Sequence, residues 1–263
     1  MATRLEAVDG RGGQPSEIVR RLSVIIPVYN EAETVAPLIE RVLAVDLGDI
    51  EREVIVVNDG STDETGEVLN RVLRRWPGVV EVVHHEQNKG KGAAIRTALE
   101  RVTGDVVITQ DADLEYDPRE YPKLLALFEN PCVRVVYGSR NLRKNPRSSW
   151  HFYWGGRLVS WVANLLYGSN LTDEPTGYKL FRTGLLRSLD LQADGFAFCP
   201  EVTGKVLRRD IEIHEVPITY QPRGLDEGKK INWKDGLQAV WVLLKQRFGG
   251  GAPDSSRAPE RSE

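Results

Sequence analysis

Cysteine is scarce in this chain: Cys132 and Cys199 are the only two. They match no metal-binding spacing and build no disulfide framework, which points to a reducing compartment. A long hydrophobic run is also missing. The longest strongly apolar piece, Leu158 to Tyr167, is far short of the roughly 20 residues of a membrane-spanning helix. The N-terminus carries no signal-peptide pattern. The expectation is a cytoplasmic protein that does not cross a membrane by itself. Basic excess is absent too, since 35 Lys and Arg face 38 Asp and Glu for a formal charge of −3. That balance argues against a general nucleic-acid binder.

Several catalytic signatures are lacking. His84, His85, His151 and His214 share no metal spacing and read as packing or surface residues. No Gly-x-Ser-x-Gly marks a serine hydrolase. The glycine-rich Asn88-Lys89-Gly90-Lys91-Gly92 has His85 and Gly92 where a phosphate-cradling P-loop needs Gly and Ser or Thr. It has Ile95 where a dinucleotide fingerprint needs Gly or Ala. What remains is a tight turn into a helix N-terminus, whose free N–H groups and two lysines favour an anion. No internal repeat is visible.

What is present is enough apolar material, 41% of 263 residues, for one α/β domain. We expect it over 21–248, with disordered tails at 1–20 and 249–263 that are polar or rich in Gly, Pro, Ser and charge. Buried strands are expected at Leu22–Val28, Glu53–Val57, Val79–Val83, Val106–Thr109 and Val133–Tyr137, and a further strand over Ile211–Tyr220. Helices are expected over about Glu31–Val45 and Asp63–Trp76, up to Arg101, and from near Pro118. Continuous apolar strands alternating with helices imply a mostly parallel sheet covered on both faces. Ligands in such sheets sit beyond the carboxyl ends of the strands, where Tyr29-Asn30-Glu31, Asn58-Asp59-Gly60-Ser61 and Asp111-Ala112-Asp113 fall.

The stretch Gln110-Asp111-Ala112-Asp113-Leu114-Glu115 is the most informative. In an extended chain, residues two apart share a side, so Asp111, Asp113 and Glu115 would gather three carboxylates at a strand end. A hard divalent cation relieves such repulsion. Few protein ligands would leave positions open for a diphosphate. An EF-hand loop is excluded because Tyr116 and Pro122 stand where it needs Gly and Glu; a solvated acidic turn is the plain alternative.

Together with Ile26-Pro27-Val28-Tyr29-Asn30-Glu31, Gly138-Ser139-Arg140 and Asp173-Glu174-Pro175-Thr176-Gly177-Tyr178-Lys179, these pieces resemble the inverting family 2 glycosyltransferases of the GT-A fold. The branch they are most similar to is that of dolichyl-phosphate mannose synthases and polyprenyl-phosphate glycosyltransferases, and the resemblance runs from about Leu22 to Phe248. It implies a Rossmann-like nucleotide-diphospho-sugar transferase that moves a hexose from a GDP-mannose or UDP-glucose type of donor. The acceptor would be a polyprenyl phosphate, a soluble or glycan hydroxyl being the alternative; a third reading is a catalytically silent nucleotide-sugar-binding domain. Pro27, Tyr29, Glu31 and Asp59 would hold the nucleoside, with Lys91 near the base or phosphates. Asp111 and Asp113, with Ala112 between them at the donor, would hold Mg²⁺ or Mn²⁺. Glu115 is a third ligand in question, because Gln often stands there in the mannose synthase branch.

Departure of a nucleoside diphosphate builds negative charge that cations stabilise. Arg140, Arg223, Lys229 and Lys230 are the candidates, the two lysines lying in a polar loop over 224–230 that either closes over donor or is an ordinary surface loop. Asp173 is either a turn residue or the carboxylate facing the acceptor. There it would take a proton from a hydroxyl, or orient a phosphate acceptor or a cation. Glu201 fits a helix N-terminus equally well.

The basic Arg140, Arg143, Lys144 and Arg147 precede Trp150, Phe152, Tyr153 and Trp154. Leu158, Trp161 and Leu165 then continue one helical stripe. A second stripe has Leu237, Val240, Trp241, Leu244 and Phe248. These stripes either pack on the sheet or make peripheral contact with the inner face of a membrane, a dimer interface being a further alternative for the first.

Overall fold

The β-branched runs of the first half become parallel strands, each returned by a helix. In a computed structural model, which describes residues 18–146, 150–223 and 233–249 (without side chains at 150–152, 233 and 234), the first half holds β1 (Arg21–Val28), α1 (Val35–Ala44), β2 (Glu51–Asn58) and α2 (Thr65–Arg75). It continues with β3 (Val80–His84), α3 (Lys91–Leu99) and β4 (Val106–Thr109). The second half contains α4 (Tyr121–Leu125), β5 (Val135–Ser139), α5 (Trp150–Tyr167), β6 (Lys179–Arg182) and α6 (Thr183–Ser188). It ends with α7 (Phe198–Leu207), β7 (Ile213–Pro217) and α8 (Trp233–Phe248).

These strands form one seven-stranded sheet in the order β3-β2-β1-β4-β6-β5-β7. All pairings are parallel except those of β6, which runs antiparallel to both β4 and β5. Side chains alternate across β1. Leu22, Val24, Ile26 and Val28 join Leu38, Ile39 and Leu69 on one face, while Ile25 joins Ile95, Phe181 and Val202 on the other. Each such fully buried side chain contributes about 1.5–3 kcal/mol. The chain steps outward from β1 through β2 and β3 and then returns to set β4 on the other side of β1. In sheets of this kind ligands bind beyond the carboxyl ends at such a switch point.

The structure differs from the sequence expectation in identifiable places. The first helix begins at Val35, because Asn30 takes a left-handed φ of 52°, a conformation Asn tolerates. Near Pro118 the helix is broken into short pieces, with 3-10 turns at Pro118–Glu120 and Ala126–Glu129 around α4; Pro122 has no N–H to continue it. Of the strand expected over 211–220, Ile213–Pro217 forms. Strand β6 was not expected, since it opens on Lys179, which is fully buried. The expected tails lie outside the described residues except at 18–20 and 249. Val19 packs against the core, and the Arg20 N–H is held by Asp105 at 2.7 Å.

Helices α5 and α8 pack on each other around Val159, Ala163 and Leu243, with the Tyr167 hydroxyl donating to the Leu243 carbonyl at 2.8 Å. Their outer faces do not pack on the sheet. Trp154, Leu158, Trp161 and Leu165 on α5, and Leu237, Trp241 and Phe248 on α8, are each more than 50% exposed. Among the described residues no helix is long and apolar enough to cross a membrane.

Candidate active site

The loops after β1, β2 and β4 meet at the carboxyl edge of the sheet and are laced by side chains. The Asn30 N–H donates to Ser61 Oγ at 2.9 Å, and Asn30 Oδ1 accepts from the Thr62 N–H at 2.8 Å. The Glu31 N–H donates to Thr65 Oγ1 at 2.9 Å. Gly60 is required here: its φ is +68°, and a Cβ would lie 2.4 Å from the Gln87 carbonyl carbon.

Asp59, expected at the nucleoside, lies buried beneath the glycine-rich turn. Its carboxylate accepts the Lys89 and Gly90 N–H groups at 2.9 and 2.7 Å and contacts His85 Nδ1 at 2.6 Å. His85 Nε2 in turn meets Thr97 Oγ1 at 2.9 Å, so this histidine is a buried brace of the turn. Pro27 is part of β1, opposite Val57. Glu31 is bound by Arg223, whose two terminal nitrogens donate to its oxygens at 3.1 and 2.7 Å.

Asp111 and Asp113 do come together, but not by strand alternation. Strand β4 ends at Thr109, and residues 112–114 turn, with Leu114 at φ 62°. Ala112 faces the core. Asp111 Oδ1 is bound by the Lys91 ammonium. Asp113 is held by burial and by the neighbouring charges of Asp111 and Glu115, which push its pKa up to about 7. Glu115 lies in the same turn, yet its oxygens accept the Tyr220 hydroxyl at 2.5 Å and the Arg223 N–H at 2.8 Å. The Arg223 Nε donates to the Asp113 carbonyl at 2.8 Å, so Arg223 staples the acidic turn to the β1 loop. Among the described residues no three His, Cys, Asp or Glu side chains are arranged as a metal site. Asp113, crowded by the charges of Asp111 and Glu115, is a group whose charge a hard divalent cation would relieve, and two carboxylates are a donor set of the right chemistry for one.

A second charged group lies across a tyrosine cluster. Arg140, just after β5, donates from Nε and Nη2 to the two oxygens of Asp173 at 2.7 Å each, and its N–H adds a third bond at 2.8 Å. Burial opposes the Arg140 charge, but Asp173 more than offsets this and raises its pKa well above the usual value. Asp173 is 1% exposed, and Glu215 accepts its N–H at 2.9 Å. The Arg140 guanidinium sits 5.1 Å from the ring centre of Tyr220, whose hydroxyl reaches Glu115. Tyr116 stacks on Tyr178 at 4.7 Å and receives the Gly177 N–H at 2.7 Å. Tyr116 and Tyr220 were missed as site residues; isolated tyrosines carry no spacing signal.

Beneath Asp173 lies a fully buried pair. Lys179 donates to the Glu174 carbonyl at 2.5 Å, Glu174 Oε1 accepts from Thr203 at 2.8 Å, and Oε2 has no partner among the described residues. Helix α5 clamps the same loop: Ser160 Oγ accepts the Glu174 N–H, and the Asn164 amide exchanges two bonds with Leu171. Glu201 is structural, accepting the Gln192 and Ala193 N–H groups. Lys229, Lys230 and Arg147 lie outside the described residues. A cavity of about 510 Å³ lined by Val19, Leu47, Ile50 and Leu125 opens at the opposite edge, where β2 begins, away from all of these groups.

The model of glycosyl transferase family 2 matches residues 23–190. An undecaprenyl-phosphate mannosyltransferase of Micrococcus luteus is 33% identical, over 87% of this chain and 99% of its own. A low-salt glycan biosynthesis hexosyltransferase of Haloferax volcanii is also 33% identical over 87% of this chain, which spans 54% of that relative. Several other relatives are likewise longer, the chain covering 63% of an undecaprenyl-phosphate 4-deoxy-4-formamido-L-arabinose transferase of Edwardsiella ictaluri. Among solved structures, glucosyl-3-phosphoglycerate synthase of Mycobacterium tuberculosis has a TM-score of 0.66 at 24% identity, covering 90% of this chain and 82% of its own. Mannosyl-3-phosphoglycerate synthase of Rubrobacter xylanophilus has a TM-score of 0.67 at 21% identity, covering 87% and 74%. These share the GT-A fold.

Proposed function

The chain belongs to glycosyl transferase family 2, and on that premise we propose that it transfers a hexose from a nucleoside-diphosphate sugar to a polyprenyl phosphate. It would do so while resting on the cytoplasmic face of a membrane. The observation that carries this reading is the position of the Arg140–Asp173 pair. Its loop is clamped from behind by Ser160 and Asn164 of α5, the helix whose other face exposes Trp154, Leu158, Trp161 and Leu165. The loop that fixes Arg140 is thus carried on the helix whose opposite face presents the apolar surface, and an arginine held near such a surface suits a lipid-linked phosphate. The relative in Micrococcus luteus is named for a polyprenyl-phosphate acceptor, which supports the same class.

The chemistry follows from the groups at hand. Asp111 and Asp113 would hold the divalent cation, Mg²⁺ or Mn²⁺, which supplies positive charge to the departing diphosphate. Lys91 and Arg223 flank this end, and the β1 and β2 loops with Pro27, Tyr29 and Glu31 would receive the nucleoside. Asp59 would act through the glycine-rich turn that it pins. A phosphate acceptor arrives as an anion and needs no base, and Asp173, with both oxygens on Arg140, is placed to orient that arginine and not to accept a proton. Attack on the anomeric carbon from the Arg140 side would displace the diphosphate in one inverting step.

The test is a screen with radiolabelled GDP-mannose and UDP-glucose against polyprenyl phosphate and soluble sugars. Label passing into the lipid phase with release of nucleoside diphosphate is expected. Transfer only to water-soluble acceptors would overturn the acceptor class, and donor binding without release under every condition would leave a silent binding domain.

A further inference from the structure

Lys91 opens α3 and turns its ammonium onto Asp111 Oδ1, with side chains only 17% and 22% exposed. The other oxygen of Asp111 is crowded from one side, because Gly177 approaches so closely that a Cβ there would lie 2.4 Å from Oδ2. The Ala93 N–H of the same helix end is already taken by the Asp194 carbonyl at 3.0 Å. Of the neighbouring cation's groups, the Arg223 guanidinium is spent on Glu31 and the Asp113 carbonyl. Lys91 therefore supplies the positive charge bound directly to Asp111, one carboxylate of the pair.

We infer that Lys91 is a resident counter-ion which a divalent cation must displace from Asp111, and which then passes to the diphosphate, so that metal and nucleoside diphosphate bind cooperatively. An ammonium and a divalent cation repel when held on one carboxylate. Metal binding alone must strip Lys91 of its partner. In the presence of a diphosphate the flexible lysine stem carries the charge to new oxygens, and part of that loss is recovered. The two ligands are then coupled, each tightening the other by one common factor. This rests on the reading above that the site takes a metal and a nucleoside diphosphate.

The experiment is a titration of Mn²⁺, followed by its free-ion paramagnetic resonance signal, into wild type, Lys91→Met and Lys91→Arg. Each is measured without nucleotide and with fixed GDP or UDP, with nucleotide-only controls and thermal unfolding as a check on folding. Lys91→Met is expected to bind Mn²⁺ alone about 10-fold more tightly than wild type, a size ordinary for such coupling. The tightening caused by nucleotide should shrink by a similar factor, and Lys91→Arg, which keeps the competing charge, should resemble wild type. Equal Mn²⁺ affinity in wild type and Lys91→Met, or equal nucleotide tightening in both, would overturn the inference while leaving the transferase reading standing. No Mn²⁺ uptake by any form, with or without nucleotide, would remove the metal site and this inference together.

Discussion

Arg140 gives Asp173 three hydrogen bonds, two from its guanidinium and one from its own N–H, all at 2.7–2.8 Å. A carboxylate so engaged and 1% exposed is poorly placed to collect a proton, yet it fixes the direction in which the guanidinium can meet an anion. Asp173→Asn keeps the shape and one acceptor oxygen but loses the charge. We expect it to raise the KM for the acceptor and lower kcat by about 10²–10³-fold, with donor affinity by calorimetry within a few-fold of wild type. Because the variant leaves Arg140 half-buried without its anion, stability should fall by about 3 kcal/mol, visible in urea unfolding. Unchanged transfer kinetics would reduce the pair to a structural brace.

Asp113 yields a pH signature. Its native pKa of about 7 lies above the ordinary value near 3.9, so between those two values the folded state binds more protons than the unfolded one. Metal-free stability should therefore fall as pH rises from about 4 to 7. Asp113→Asn, which removes the ionisation, should be more stable than wild type at pH 8 by about 2 kcal/mol and unfold at a higher temperature, and the gap should close towards pH 4. The same variant, and Asp111→Asn, should lose transfer by orders of magnitude, and EDTA should abolish wild-type activity. Equal unfolding temperatures at pH 8 would contradict the charge crowding; full activity in EDTA with no metal in the protein would contradict a metal.

Strands β1, β2, β4 and β5 were legible because each contains a buried β-branched run, and period-free apolar runs of that length have few other fates. Strand β3, an edge strand with Glu81 and His84 exposed, was legible from its valines. The carboxylates of Asp111 and Asp113 were legible as a pair, though the reason differs: a turn through Leu114, not strand alternation, brings them together. Strand β6 was hidden by Lys179, whose burial depends on Glu174 and on the Tyr137 ring 3.6 Å away, contacts that no local pattern encodes. Arg223 was singled out as a cation, but its tie to Glu31 spans the chain. Asp59 is expected at the nucleoside from the resemblance, and its partners Lys89, Gly90 and His85 belong to the glycine-rich segment about thirty residues on. The partners of Arg223 and Asp59 lie far off in sequence, so these ties could not be read from a local pattern.

Gly177 tests how rigidly the acidic pair is held. An added methyl would lie 2.4 Å from Asp111 Oδ2 and 2.9 Å from the Tyr116 ring, and Tyr116 is itself stacked on Tyr178. The Tyr116 ring cannot swing away, and the Asp111 carboxylate is tethered through its other oxygen to Lys91. Gly177→Ala should shift Asp111, costing about 1–3 kcal/mol of stability as an overpacking change and at least 10²-fold in transfer through lost positioning. Mn²⁺ affinity should drop with it. Wild-type transfer in this variant would mean that Asp111 is not fixed where its chemistry requires.

The exposed stripes of α5 and α8 carry the last prediction. Seven large apolar side chains, three of them tryptophans, stand more than 50% exposed on two helices that pack together. Exposed Arg157, Lys245 and Arg247 accompany them. Such a surface lies favourably in the headgroup region, each basic residue adding roughly 1 kcal/mol towards anionic lipid. Vesicles of mixed neutral and anionic phospholipid should sediment with the protein, less so at high salt. Trp161→Glu combined with Trp241→Glu should abolish sedimentation and slow transfer to vesicle-borne polyprenyl phosphate by at least 10-fold. Because both rings face outward, thermal unfolding should move little, and transfer to a detergent-dispersed short-chain prenyl phosphate should be retained. Retained transfer there with loss on vesicles separates a docking surface from the catalytic groups; equal loss in both assays would assign the tryptophans to the acceptor site itself.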